Sequence, residues 1–549
     1  MNRSHKLKVA AVAVAALVVS TATVTAAQAA VPVDTSTLRE DVTADAIMGH
    51  LAELQDIATA NGDTRASGTP GFDGSIDYIE DLLTEAGYKV SVQPFFFNRF
   101  TELSIPVFAQ VTPNPTSYVA GEDFFTAEYS GSGDVTAPLQ AVDLVLPPGA
   151  TASTSNSGCE LSDFDAFVDG SIALLQRGTC DFSVKAHNAF ESGAVGVIIF
   201  NEGQEGRTDA LNATLGDAFS DDIPVIGTSF EIGNTLAGLL ATGAVTIHLE
   251  TETLIELDVP TQNLIAETEG GRDDRVVMAG AHLDSVAEGP GIEDNGTGSA
   301  TLLEIALQLA DEGVQPVNKI RFAWWGAEEA GLIGSQYYVD TLAKRDAKNI
   351  QLYLNFDMIG SPNYVRFIYD GDGSGFGIKG PNGSSHIEAT FEEFFASQDL
   401  DSEPTAFDGR SDYDAFITAG IPAGGLFTGA EGAKSPEQAD ADYGGLATFN
   451  NKPVSYDPCY HQPCDSMSPI ADGADKALYE ALNEVYGGAL EYDGVITNVN
   501  TLALEEMSDA AAHAILTYAM STSSVNGTGK GSPIAGQKAA EHLGSHLRR

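Results

Sequence analysis

Positive charge is scarce in this chain: 27 lysines and arginines stand against 78 aspartates and glutamates in 549 residues, a formal net charge of −51. Neutralisation of phosphate by Lys and Arg dominates binding to nucleic acid and to anionic membranes, so neither is expected as a partner. The bland consequence of the charge is solubility outside the cell, which outweighs salt adaptation as a reading. Cysteine is scarce as well, with four residues in two local pairs, Cys159 with Cys180 and Cys459 with Cys464. In an exported protein an even count at close spacing favours two disulfides over reactive thiols or thiolate metal clusters. Long apolar runs are missing beyond the N-terminus, where nothing approaches the roughly 18 residues a spanning helix needs. The N-terminus itself has a basic start (Arg3, Lys6, Lys8), an apolar run from Val9 to Val19 and the small-residue tract Ala27-Gln28-Ala29. That run is too short to span, so residues 1–30 read as a cleaved secretory signal and the product as secreted and extracellular.

A chain of this length exceeds one ordinary core, and its pattern changes twice. Residues from about Asp41 to Ala60 carry helical periodicity, and Thr64 to Pro94 reads as loop, amphipathic helix and strand, with Gly87 closing the helix. From about Thr126 to Leu254, short β-like runs such as AVDLVLP, SIALLQRG and AVGVIIFN alternate with turns and one helix, Ser183 to Ser192, which predicts a separate module. His187 and Lys185 on that helix are expected at the surface. Beyond it, VVMAGAH (276–282), IRFAWWG (320–326), YLNFDMI (353–359) and IPAGGLF (421–427) alternate with helices at about Ser299–Ala310 and Ile387–Ser397. Strands spaced by helices imply a mixed, largely parallel α/β sheet sandwiched by helices, and ligands collect at the carboxyl ends of such strands. A last helix from about Leu502 to Met520 should pack on this core, and residues 521–549 read as a disordered or processed tail. The expected organisation is therefore signal 1–30, an α/β domain in two parts (31–125 and 255–520), an inserted β-rich module (126–254) and a tail.

Five metal-type residues stand out: His282 in GAHLDS, Asp294 in IEDNGTG, Glu329 in WWGAEEAG, Asp357 in LNFDMIG and His461 in CYHQPC. Two imidazoles and three carboxylates are a hard nitrogen and oxygen set, suited to a pair of zinc-like ions sharing one carboxylate, which points to hydrolysis. Taken alone, a loop Asp is usually a turn residue and a buried His a satisfied core group. Five together at strand ends are poorly explained that way. Glu328 and Glu329 are adjacent carboxylates, so one can ligate while the other serves as general base.

These runs, with GRSDYDAF, IPAGGLFTGAE and CYHQPCD, resemble the secreted bacterial double-zinc aminopeptidases over about residues 37–125 and 255–520. GSIALLQRGTCDFSVKAHNAFESGAVGVIIFNE resembles the protease-associated domain often inserted in that family. The resemblance implies a zinc exopeptidase fold with two Zn2+ per chain: His282 and Asp357 on one ion, Glu329 and His461 on the other, and Asp294 bridging. It implies Glu328 as base, Tyr460 as donor to the tetrahedral oxyanion, and often a cis peptide at Asp294-Asn295. Asp284 would accept the second N–H of His282. Glu328, Asp357 and the carbonyl of Arg410 would receive the substrate α-amine, while Met358 and Phe427 would wall an apolar first-residue pocket preferring Leu, Phe or Met. Peptide or protein N-termini are the implied substrate, and a monomer is expected. The Arg410 guanidinium keeps a carboxypeptidase or related acyl-transfer enzyme as an alternative. A non-catalytic binding relative is a further one, although such relatives typically lack ligands that this chain retains.

Overall fold

Strands apolar on both sides must be covered on both faces, and such strands form the centre of this molecule. In the computed structural model, which describes residues 33–526 except 205 and 217, Ile350–Phe356 is buried throughout and Arg272–His282 is buried from Val276 onward. The expected signal and residues 527–549 of the expected tail lie outside the described residues, but the start of that tail is ordered: Thr522 is buried, Ser523–Asn526 is helical and Asn526 donates to Gln351 O (3.1 Å). The first sheet runs in spatial order Lys89–Glu102, Thr253–Glu267, Asn318–Trp325, Arg272–His282, Ile350–Phe356, Ala423–Phe427, Phe367–Tyr369, Glu403–Thr405. The four strands from Asn318–Trp325 to Ala423–Phe427 are mutually parallel, and antiparallel neighbours flank them on both sides. This is the mixed, largely parallel α/β sheet that the alternation of strands and helices implies.

Period-two alternation places one of two adjacent tryptophans on each face. Trp324 donates its indole N–H to the carbonyl of Ser299 (3.1 Å) in the helix Gly298–Asp311, and Asn318 on the same strand donates to Tyr518 (2.8 Å) in Thr501–Met520. Trp325 turns the other way and donates to Tyr353 (2.9 Å), whose ring stacks on Phe416 of Tyr413–Thr418 at 3.8 Å. Helix starts follow local chemistry. Thr43 accepts from Ala46 to open Ala44–Ala60, and Thr69 accepts from Phe72 ahead of Pro70 to open Pro70–Glu85.

The second sheet is inserted between two residues that are themselves neighbours. Lys89–Glu102 and Thr253–Glu267 pair antiparallel until Glu102 faces Thr253, and Leu103 N–H donates to Glu252 O at 2.7 Å. Between them lies an eight-stranded sheet that already includes Val107–Thr112, Thr116–Ser117 and Phe124–Thr126. The second sheet thus begins before residue 126, because Val107–Thr112 pairs with Thr246–Thr251 and with Thr116–Ser117, and Phe124–Thr126 pairs with Val225–Thr228, rather than with the first sheet. Within this module Lys185 is buried, not exposed as expected; its ammonium donates to Ser157 O and lies 3.6 Å from Cys159 Sγ. His187 is exposed and pairs with Asp221 at 2.7 Å. Both cysteine pairs are disulfides. No helix among the described residues is long and apolar enough to cross a membrane.

Candidate metal centre

The four parallel strands end at one edge of the first sheet, and three of the expected ligands arise there. His282 is the last residue of Arg272–His282, Asp357 follows Ile350–Phe356, and Glu329 lies shortly after Trp325. Asp294 sits on the irregular helical turn Ile292–Thr297 that feeds Gly298–Asp311, and is joined to Asn295 by a cis peptide. His461 takes a left-handed backbone (φ 55°) inside the loop closed by Cys459–Cys464.

The five side chains converge. His282 Nε2 lies 3.2 Å from Asp357 Oδ1 and 3.3 Å from Asp294 Oδ1. His461 Nε2 lies 3.2 Å from Asp294 Oδ2 and 3.0 Å from Glu329 Oε2. Asp294 therefore turns one oxygen to each imidazole, the disposition a shared carboxylate requires. Glu328 belongs to the same cluster: its ligand atom, with those of His282 and Asp357, falls within 4.8 Å.

Electrostatics state the same demand. Burial alone would lower both imidazoles, yet Glu328 and Asp357 hold His282 well above its ordinary pKa, and Glu329 with Asp294 lifts His461 to about 10. Burial would raise Asp294, but the two imidazoles hold it well below the usual carboxylate range. Buried carboxylates at this density need positive charge among them, and the donor set suits zinc. The residues therefore fit divalent metal such as zinc.

One expected contact is different. Asp284 receives the second ring nitrogen of His282 through its main-chain carbonyl (Nδ1 to O, 3.0 Å), while its carboxylate lies 3.8 Å away. A carbonyl can only accept, so Nδ1 carries a proton and Nε2 is the nitrogen left to face a metal. The Asp284 carboxylate instead accepts the backbone N–H groups of Glu328 (3.2 Å) and Glu329 (3.4 Å), which fixes the turn carrying both glutamates. Burial raises this carboxyl to about 7.

Tyr460 stacks on His461 with ring centroids 3.9 Å apart. A cavity of about 390 Å³ opens beside Asp357 and is lined by Phe427 and Arg410 among others. Met358, expected as a pocket wall, is fully buried and packs with Phe427, Ala430 and Tyr460 but is not among the residues that line the cavity. The Arg410 guanidinium pairs with Glu431 at 2.8 Å.

Several residues that hold the centre escape a reading of the sequence. Ser411 donates to Asp357 Oδ2 (2.6 Å) and accepts from Asn355 (2.8 Å). Arg65, fully buried, donates to the carbonyls of Leu283, Pro290 (2.7 Å) and Gly291 (2.5 Å), gripping the loop between His282 and Asp294. Asp465 accepts the backbone N–H groups of Glu293 (2.8 Å) and Asp294 (3.0 Å). Asn295, also buried, donates to Phe356 O and accepts from Met358 and Gly298, so it is part of the architecture and not a glycan acceptor. An arginine in the Gly-containing run RASGTPG of a chain so poor in cations was the available signal for Arg65.

A buried nitrogen and oxygen donor cluster at the carboxyl edge of a mixed sheet, opening onto a cavity, defines a metal-dependent hydrolase. The model of peptidase family M28 matches residues 263–485, and the PA domain model matches residues 135–236. The chain is 49% identical over 429 residues to an aminopeptidase of Pseudomonas aeruginosa, covering 78% of this chain and 77% of that protein. It is 47% identical over 319 residues to leucine aminopeptidase 2 of Trichophyton equinum, covering 58% and 62%. Among solved structures, the aminopeptidase from Aneurinibacillus sp. strain AM-1 shares the fold with a TM-score of 0.63 at 24% identity, covering 88% of this chain and 95% of that one. The chain belongs to peptidase family M28 and is a metallo-aminopeptidase of that family with an inserted PA domain.

Proposed function

We propose that this aminopeptidase is a secreted enzyme that holds two zinc ions per chain and releases N-terminal residues, preferably Leu, Phe or Met, from peptides. The observation that carries the reading is Asp294, with one oxygen toward His282 and the other toward His461. His282 and Asp357 would hold one ion, Glu329 and His461 the other, and Asp294 both. When bound, the ions supply Lewis-acid polarisation of the scissile carbonyl and a lowered pKa for the attacking water. Glu328, buried beside His282 and Asp357, takes the proton of that water as its oxygen bonds to the carbonyl carbon. As the C–N bond breaks, Glu328 returns the proton to the leaving amine. The Tyr460 hydroxyl donates to the oxyanion of the tetrahedral intermediate, with its ring set against His461. Asp284 keeps the Glu328–Glu329 turn in place through its two backbone hydrogen bonds. Asp357 and the Arg410 carbonyl receive the α-amine, and Phe427 faces the first side chain. The Arg410 guanidinium, taken up by Glu431, gives little support to recognition of a C-terminal carboxylate.

Glu328→Gln tests the base. Metal content should stay near two ions per chain while kcat on leucine p-nitroanilide falls by about 10³ or more. Retained turnover would sink the assignment. Cleavage of an N-blocked peptide with a free carboxyl end, and none of the aminoacyl anilide, would overturn the exopeptidase direction.

A further inference from the structure

Lys185, on the helix Phe182–Glu191 of the inserted module, is a fully buried cation whose carboxylates are elsewhere. Its ammonium donates to Ser157 O. Asp163 and Glu202 act on it only from a distance: Glu202 pairs with Arg207 at 3.0 Å, and Asp163 accepts from the N–H of Glu160 at 3.1 Å. Burial lowers Lys185 to about 8, so most of it stays charged at neutral pH. A desolvated charge is costly unless an opposite charge or a full set of hydrogen bonds offsets it. The other atom the ammonium faces is sulfur. Cys159 Sγ lies 3.6 Å from Lys185 Nζ, and Thr179 Oγ1 lies 3.5 Å from the same sulfur. Within a disulfide that sulfur is neutral and a weak acceptor, whereas as a thiolate it supplies the anion that the ammonium lacks.

The bridge Cys159–Cys180 is therefore electrostatically lopsided, because among the described residues the ammonium that meets it does so at Cys159. At the other end, Cys180 stands before Asp181 and the first turn of Phe182–Glu191, where the acidic charge and the free N–H groups act in opposite senses. Access separates this bridge from the second one. Cys159 and Cys180 are half-buried, while Cys459 and Cys464 are 0% and 5% exposed. Neither Cys159 nor Cys180 belongs to a strand or a helix, so the bridge opens without breaking a ladder. In thiol–disulfide exchange the sulfur with the more stable thiolate leaves faster, and attack falls on its partner.

We infer that Cys180 is a site of S-thiolation by low-molecular-weight thiols, with Cys159 as the leaving sulfur and Lys185 as its counter-ion. A thiolate attacks Cys180 Sγ, and the new S–S bond forms as the Cys159–Cys180 bond breaks. The bonding pair leaves on Cys159, which becomes a thiolate beside the ammonium. One disulfide and one thiolate give one mixed disulfide and one thiolate, so no outside oxidant or reductant is needed. Cys159 closes the bridge again by attacking Cys180 and expelling the small thiol.

Reduced glutathione in large excess over the native protein tests this, with samples trapped at early times by N-ethylmaleimide and mapped by peptide mass. Glutathione should be found on Cys180 and N-ethylmaleimide on Cys159, with Cys459–Cys464 still closed. Glutathione on Cys159, an even split between the two, opening of Cys459–Cys464 at an equal rate, or no opening of either bridge before the protein unfolds would each overturn the inference. Lys185→Met keeps the stem and removes the charge, and opening should slow about tenfold as the leaving thiolate loses its partner. A purely structural lysine predicts the reverse, since its loss would loosen the loop and speed opening; a faster or unchanged rate in the variant therefore also counts against the inference. Should the variant not fold, the position of the adduct on the native protein decides alone.

Discussion

Replacing Asp465 tests whether the turn that carries Asp294 is actively held. One oxygen of the Asp465 carboxylate accepts the N–H of Glu293 (2.8 Å) and the amide of Asn498 (2.8 Å); the other accepts the N–H of Asp294 (3.0 Å). The residue is 2% exposed, so solvent cannot readily take its place. Asp465→Ala leaves two buried backbone donors without this acceptor, at roughly 1–3 kcal/mol each, part of which a trapped water recovers, for a net loss of about 3 kcal/mol. The second consequence is specific to the centre. Groups that orient metal ligands typically contribute 10- to 100-fold to metal affinity, and the backbone of Asp294 is held by this carboxylate. Competition with a chromogenic chelator should therefore show zinc bound about 10- to 100-fold more weakly, with the denaturant midpoint of the metal-free protein also lowered. Asp465→Asn keeps one acceptor oxygen but turns an NH₂ toward the other N–H, so it should lose zinc affinity too. If both variants bind zinc within about twofold of native at an unchanged midpoint, the reasoning fails and the turn is set without Asp465.

Acid should expose a second dependence, away from the metal. His513 accepts or donates at Thr35 Oγ1 (2.9 Å) and stacks on Phe394 (4.9 Å); burial, helped by Arg39, lowers its pKa from 6.5 to about 4. The unfolded chain takes up this proton below pH 6.5 and the folded chain only below about 4, so the stability from neutral His513 is full above pH 6.5 and is lost as pH falls toward 4. Melting temperatures of His513→Gln should thus decline less steeply between pH 6.5 and 4 than those of the native protein, and parallel curves would refute the linkage. Opening the Cys459–Cys464 ring by a double alanine substitution should cost about 2 kcal/mol from loop closure and lower metal occupancy, because His461 lies inside it. Unaltered zinc content and midpoint would show that the ring does not constrain that ligand.

What was legible in the sequence and what was not divides along a physical line. Apolar runs such as VVMAGAH and YLNFDMI mark strands buried on both faces, and a polar residue at the end of such a run has to emerge at the carboxyl edge, as His282 and Asp357 do. Contacts made by main-chain groups leave no such trace. That His282 leans on the carbonyl of Asp284, and that the Asp284 carboxylate caps the Glu328–Glu329 turn, depends on backbone direction that residue types do not encode. The insertion begins near residue 103 for a similar reason: the short runs over 107–126 look alike in either sheet, and only the pairing of Glu102 with Thr253 sets the junction. Lys185 misleads because a lone lysine on a helix is usually solvated, whereas here Ser157 O sits at the end of its stem.

The scarcity of cations acquires a structural meaning once their positions are known. Arg65, Lys185, Arg366 and Lys434 are each 2% exposed or less, although Lys and Arg are almost never buried without partners. Each reaches a main-chain carbonyl: Arg65 those of Leu283, Pro290 and Gly291, Lys185 that of Ser157, Arg366 that of Asp401, Lys434 that of Tyr364. These carbonyls belong to irregular segments, where no ladder satisfies them and a buried acceptor would otherwise go unpaired. The segments matter for function, since Leu283–Gly291 joins two expected metal ligands and Tyr364 and Asp401 precede the strands that carry Phe367 and Glu403. Internal cations therefore give irregular loops at the centre and the cavity a fixed geometry. An acidic exterior disfavours polyanions and favours the positively charged N-terminus on which an aminopeptidase acts.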